Sequence, residues 1–106
     1  MSYVVRFTPE ALDRLDTIEA FISHAGSPLT AARYVDSIVA FCETLGTFPH
    51  RGTHRDDLLP GLRITHYRSR AVIAYLVNDS DESATVLDVF YGGQDYEAAF
   101  DIDLDG

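Results

Sequence analysis

Lysine is absent from this chain of 106 residues: all eight basic residues are arginines, set against 17 aspartates and glutamates for a net charge of −9. Such a balance opposes broad, sequence-independent attraction to phosphate backbones. Cysteine is nearly absent too, and the single Cys42 has no partner for an internal disulfide. Long apolar runs are also lacking. The longest, Ala71 to Val77, is far too short to span a bilayer. The opening Met-Ser-Tyr-Val-Val-Arg has none of the apolar length of a secretion signal, so a reducing cytoplasm is the expected compartment. Repeats, low-complexity tracts and linkers are missing as well. What remains is 46% apolar, enough for a genuine core in one domain. A domain this small buries a modest share of its surface, and a partner chain often completes it.

The charges are unevenly placed. Arg51, Arg55, Arg63, Arg68 and Arg70 fall within twenty positions together with His50, His54 and His66, while Asp95, Glu97, Asp101, Asp103 and Asp105 crowd the end. A solvated surface with ordinary ion pairs would account for this. The alternative is an acidic partner, because guanidinium groups suit bidentate pairing with carboxylates.

The pattern predicts a short strand at Tyr3 to Phe7 and then a helix opened by Thr8 as N-cap and Pro9 at the first helical position. Ala11, Leu15, Ile18 and Ile22 repeat at helical spacing, with Leu12 and Phe21 beside them, and Gly26 marks the end. Ser27-Pro28 opens a second helix by the same logic, with a stripe of Tyr34, Ile38, Phe41 and Leu45, widened by Val35 and Cys42 and stopped by Gly46. The short connector predicts an antiparallel hairpin. After a polar loop from Thr47 to Pro60, three strands are expected at roughly 62–68, 70–78 and 84–91, as a meander. The middle run is apolar on both alternating faces, which places it inside its sheet. One face should carry the hairpin and the other stay partly exposed, as a partner-binding surface.

Several small motifs carry little chemistry. Asp101-Ile-Asp-Leu-Asp-Gly106 matches the first half of a calcium loop, but the chain stops before the bidentate glutamate. It reads as an acidic tail that could fold over the arginine cluster. His50 and His54 have a spacing that binds zinc on a helix, yet they sit in a Gly- and Pro-containing loop. Gly92-Gly93 lacks the residues of a phosphate loop and reads as a turn. No cofactor and no metal are expected.

Taken in order, Phe48-Pro-His-Arg-Gly52, Pro60-Gly-Leu-Arg63, Val72-Ile-Ala-Tyr75 and Val89-Phe-Tyr-Gly-Gly-Gln-Asp-Tyr-Glu97 resemble the RelE/ParE superfamily of bacterial toxins from type II toxin–antitoxin modules. The resemblance runs from Tyr3 to about Phe100. It implies a small toxin neutralised by an antitoxin whose C-terminal segment wraps it. RelE-like members cleave mRNA at the ribosome with basic side chains, whereas ParE-like members inhibit DNA gyrase and lack the nuclease residues. Where the RelE-like pattern has arginines at the start of the middle strand and after the last strand, this chain has Val72 and Gln94. Where that pattern has a tyrosine near the end, it has Phe100, and the expected lysines are missing. RNA cleavage needs proton transfer and a cation facing the developing phosphorane charge, and these side chains supply neither.

The expectation is therefore an α+β fold, with an N-terminal strand and an antiparallel helical hairpin packed on a three- to four-stranded antiparallel sheet. Residues 1–100 form one domain and 101–106 a tail. The implied function is the non-enzymatic toxin of a ParDE-type plasmid-stabilization module, acting on gyrase. A ParD-like antitoxin would hold it in a heterotetramer or larger complex, with no membrane contact and no sequence-specific DNA binding by the chain alone. Target contacts are expected at Arg63, Arg68, Arg70, Tyr91, Gln94, Asp95 and Tyr96, and antitoxin contacts at Arg51, Arg55, Arg63, Tyr34, Ile38 and Phe41. An open sheet edge should accept an antitoxin strand. Two alternatives stay open: a RelE-like mRNA endonuclease with a displaced site at Arg63, Arg68, Arg70 and His66, with Tyr67 and Tyr75 stacking on bases, and a non-toxic remnant serving as co-repressor.

Overall fold

The computed structural model describes residues 2–100. The chain runs β1 (Val4–Phe7), α1 (Pro9–Ala25), α2 (Pro28–Glu43), a 3-10 turn at Thr44–Gly46, β2 (Thr53–His54), β3 (Arg63–Tyr67), β4 (Ala71–Asn78), β5 (Ser83–Tyr91) and α3 (Tyr96–Ala99). Both long helices start as their sequences dictate. The Thr8 hydroxyl accepts the Ala11 N–H and the Ser27 hydroxyl accepts the Thr30 N–H, each at 3.1 Å, with proline at the next position. Gly26 closes α1 by donating its N–H to the Ile22 carbonyl.

The five strands form one mixed sheet in the order β1-β5-β4-β3-β2. This corrects the expected three- to four-stranded antiparallel sheet: β1 lies parallel to β5, and the two residues of β2 add an antiparallel fringe to β3. The middle strand of the meander, β4, is central as expected. Its register with β5 slips between Ala74 and Tyr75, so that Leu87 is an extra residue. The slip brings Ala84, Val86 and Val89 to one face although their spacing is irregular.

That face meets the helices. Ala11, Leu15 and Ile18 of α1 and Val35, Ile38 and Cys42 of α2 pack on Ala71, Ile73, Tyr75, Val86 and Val89. Burial pushes the Cys42 thiol up to about 12. The stripe of α2 is thus centred on Ala31, Val35, Ile38 and Cys42, and Tyr34 and Phe41 sit at its border. Leu12 and Phe21, expected beside the α1 stripe, face outward instead, 51% and 63% exposed. The far face of the sheet is not left open. Leu62, Ile64, Ala74 and Phe90 form a second small core, covered by Leu58 and Leu59 of the preceding loop and by Tyr96 and Phe100. Gly52 lets that loop turn against β3: its φ is +83°, and a Cβ there would lie 2.4 Å from the Ile64 carbonyl oxygen. No helix among the described residues is long and apolar enough to cross a membrane. The acidic run 101–106, with its partial calcium-loop match and the tail-over-arginine expectation, lies outside the described residues.

Candidate functional site

A row of aromatic rings and guanidinium groups runs along the border between α2, the β3–β4 turn and the end of β5. The Arg51 guanidinium lies 5.2 Å from the Phe48 ring and 5.1 Å from the Phe41 ring. Phe41 stacks at 4.9 Å on Tyr67, over which Arg68 sits at 5.3 Å. Tyr67 neighbours Tyr34 at 6.4 Å, Tyr34 meets Tyr91 edge-on at 5.4 Å, and Tyr91 meets the exposed Phe21 at 6.2 Å. Cations over ring faces and edge-to-face rings are both favourable arrangements, and they make this border firm while leaving it half-exposed. Within it the Tyr34 hydroxyl is buried with no hydrogen-bond partner. Burial raises its pKa; the neighbouring Tyr91 and Tyr67 add to this, and Arg68 and Arg70 oppose it. Arg68 occupies the left-handed region at φ 55° in the tight β3–β4 turn.

The loop that presents Arg51 is pinned from beneath. Arg63 donates from Nη1 to the His50 carbonyl (2.8 Å) and the Arg51 carbonyl (3.2 Å), and its Nη2 lies 3.0 Å from His54 Nε2. The buried Tyr75 hydroxyl also donates to the Arg51 carbonyl, and burial raises its pKa. His50 contacts Asp79 at 2.9 Å, and Asp79 accepts the Tyr3 hydroxyl at 2.6 Å. The Tyr3 and His50 hydrogen bonds hold the Asp79 carboxyl below its usual range, and the same carboxylate pushes Tyr3 up to about 12.

The opposite face holds a separate group. Arg55 pairs with Asp57 through Nε (3.0 Å) and Nη2 (2.8 Å), with Glu97 at 2.7 Å, and with the Tyr96 hydroxyl at 3.2 Å. These bonds raise its pKa further, depress that of Asp57, and strap α3 to the loop. Asp95 caps α3 by accepting the Ala98 N–H. Gly92 and Gly93, at φ +70° and +85°, turn the chain out of β5 as expected.

The predicted residues therefore divide. Tyr34, Phe41, Arg51, Arg68, Arg70 and Tyr91 share the aromatic border, with Arg68 and Arg70 exposed. Arg55, Asp95 and Tyr96 belong to the α3 side, where Arg55 is already paired within the chain. Arg63 is engaged by carbonyls of its own loop. Ile38 is fully buried in the core, so its assignment as an antitoxin contact is corrected: its place on the stripe reflects packing. Among the described residues there is no group of three His, Cys, Asp or Glu side chains able to hold a metal ion.

Sequence reasoning missed how the outer edge of β5 is closed. Beyond its pairing with β1, the Leu87 carbonyl accepts the Thr8 hydroxyl, Asp88 accepts the Val89 N–H and Gln94 accepts the Tyr91 N–H at 3.0 Å. Arg14 reaches from α1 to Asp88 at 3.2 Å and lies over the Phe90 ring. A cleft of about 310 Å³ lined by Arg14, Ile18, Phe21, Tyr91 and Gln94 borders this edge. On the other side of the sheet, β2 pairs only with Arg63 and Ile64, leaving the outer edge at 65–67 without a strand partner among the described residues.

A sequence profile described as ParE toxin of type II toxin–antitoxin system, parDE, matches residues 5–96. The chain belongs to the ParE toxin family. The ParE fold is shared by solved structures of low identity. A chain of the chromosomal ParDE system from P. aeruginosa superposes with a TM-score of 0.72 at 22% identity, over 85% of this chain and 96% of that one. A chain of the RelBE2 toxin–antitoxin complex of Mycobacterium tuberculosis gives 0.61 at 23% identity, over 87% of this chain and 100% of that one. A mutant of E. coli RelE in the free state gives 0.67 at 16% identity, over 98% of each chain. Comparison with curated protein sequences gives no significant match.

Proposed function

We propose that this ParE-family chain arrests growth by inhibiting DNA gyrase, without catalysis of its own, and that a ParD-like antitoxin neutralises it by direct binding in the cytoplasm. The observation that carries the choice of target is the fate of three positions. Val72 is half-buried against the second core, and Phe100 packs on Phe90 at 6.3 Å. Gln94 is engaged with the Tyr91 N–H. None of the three offers a proton relay or a positive charge for a phosphorane, so an RNA-cleaving centre has no support at the positions where the RelE-like branch would carry it.

The aromatic border and the open β3 edge are the surfaces offered to the antitoxin. An amphipathic segment can lay apolar side chains over Phe41, Tyr67 and Phe48 with its carboxylates toward Arg51 and Arg68, and an extended segment can pair with 65–67. A hetero-oligomer of two or more chains of each kind is the expected assembly. The RNA-cleaving reading keeps one observation in its favour, the exposed Arg68 and Arg70 beside Tyr67.

Induced expression without antitoxin separates the readings, with a DNA-damage reporter and bulk protein synthesis followed in one culture. Early damage signalling while translation continues is the expected result. Early loss of translation without damage signalling would replace gyrase by mRNA as the target, and undisturbed growth would leave the chain a co-repressor.

A further inference from the structure

The Tyr34 hydroxyl is the one described buried side-chain polar atom without a partner. It lies in the middle of the aromatic border, between Tyr67 of β3 and Tyr91 of β5. A buried hydroxyl left unsatisfied opposes folding, and phenylalanine would pack the same ring without that cost. The surroundings are specific. Arg68 rests on the neighbouring Tyr67 ring, and the Arg70 backbone carbonyl accepts the Gly92 N–H, which holds the β3–β4 turn against the end of β5. Both arginine side chains are exposed and have no carboxylate partner among the described residues. Three other guanidinium groups are paired with carboxylates, Arg6 with Asp81, Arg14 with Asp88 and Arg55 with Asp57 and Glu97, while Arg51 lies between two rings and Arg63 donates to loop carbonyls. One O–H donor without a partner and two guanidinium groups without a carboxylate thus share this border, and these are the donors that an anion's oxygens would need.

We propose that Tyr34, Arg68 and Arg70 form a receptor for a single carboxylate side chain of the antitoxin, with one oxygen accepting the Tyr34 O–H and the rest of the carboxylate paired with the guanidinium groups. This rests on the antitoxin-binding reading above and names the chemical group that binds there. A carboxylate fits better than a phosphate backbone for two reasons. The chain's net charge of −9 repels a polyanion. The receptor also has a single inward donor and so takes one acidic group at one point. Exposed arginine side chains reorient within nanoseconds, so Arg68 and Arg70 can turn to meet the carboxylate.

The test uses the full chain and the ParD-like antitoxin of the reading above, with Tyr34→Phe as the main variant and Arg70→Ala as a second variant on an exposed position. In the free chain Tyr34→Phe removes only an unpaired hydroxyl, so its Tm equals that of wild type or rises, by on the order of 4 °C. In the complex it removes a charge-assisted hydrogen bond, so the antitoxin Kd rises about tenfold or more. Arg70→Ala weakens binding also, and the double variant loses less than the product of the two single losses, because both groups hold one carboxylate. Equal antitoxin affinity for wild type and Tyr34→Phe would overturn the proposal, as would a Tm lowered by Tyr34→Phe. Loss of binding to a labelled single-stranded oligonucleotide, with antitoxin affinity kept, would assign the receptor to nucleic acid and overturn it too. Failure of the wild-type chain to bind the antitoxin at all would instead overturn the antitoxin reading, and this proposal with it.

Discussion

Replacing Tyr75 by phenylalanine should weaken the fold, although the same replacement at Tyr34 should not. Tyr75 is fully buried in β4, and its hydroxyl donates to the Arg51 carbonyl, tying the loop that carries Phe48 and Arg51 to the sheet. The substitution removes that bond but does not strand the carbonyl, which keeps the Arg63 Nη1 at 3.2 Å. The loss is therefore the net value of one neutral hydrogen bond, about 1 kcal/mol, and not the larger cost of an orphaned buried group. For a domain near a hundred residues that corresponds to a Tm lowered by about 4–8 °C. Calorimetry and urea unfolding on both variants provide the assay, with an unchanged urea m-value expected because no new surface is exposed. An unchanged Tm for Tyr75→Phe would refute the reasoning and show that the loop is held by Arg63 alone.

The left-handed backbone of Gly52 and its closeness to the Ile64 carbonyl mean that Gly52→Ala should cost more than about 1–3 kcal/mol, seen as a large fall in the urea midpoint. Asp79→Asn should flatten the acid limb of the stability profile. The folded-state pKa of Asp79 is depressed, so the unfolded chain takes up the proton first, and the contribution is present above about pH 4 and lost as pH falls through the folded value. Urea midpoints between neutral and acid pH would test this, and an identical acid limb in wild type and variant would contradict it. Gln94→Ala uncaps the Tyr91 N–H at the β5 edge, so amide exchange at Tyr91 should accelerate while β4 amides stay protected.

Much of the chain's local grammar could be read directly. Thr8-Pro9 and Ser27-Pro28 start their helices, Gly26 ends the first, and the apolar alternation of 71–77 belongs to a central strand. These signals are local because caps and periodicity act within a few residues. The parallel pairing of β1 with β5 was not legible, since it joins Val4 to Ser83 and a four-residue strand names no partner. The covering of the second core was hidden for a similar reason: Leu58, Leu59, Tyr96 and Phe100 come from a loop and a single helical turn, neither of which has a periodicity to read.

The basic stretch was the most misleading feature. Its arginines look like one cluster in sequence, yet β-sheet geometry disperses them. Arg55 goes to the α3 face, Arg63 binds loop carbonyls, Arg51 sits between two rings, and only Arg68 and Arg70 stay exposed at a turn. Backbone carbonyls carry no sequence signature, so an arginine held by them cannot be told from one waiting for a partner. Phe41 and Tyr34 were visible as part of the α2 stripe, but their position at its border depended on how far the hairpin rolls onto the sheet.

The central claim, inhibition of gyrase without catalysis, is tested most directly by adding the purified chain to purified gyrase with relaxed plasmid and ATP. The expected result is loss of supercoiling with accumulation of cleaved plasmid, abolished when antitoxin is added first. Full gyrase activity at a large molar excess of the chain, together with cleavage of mRNA in a reconstituted translation reaction, would contradict it.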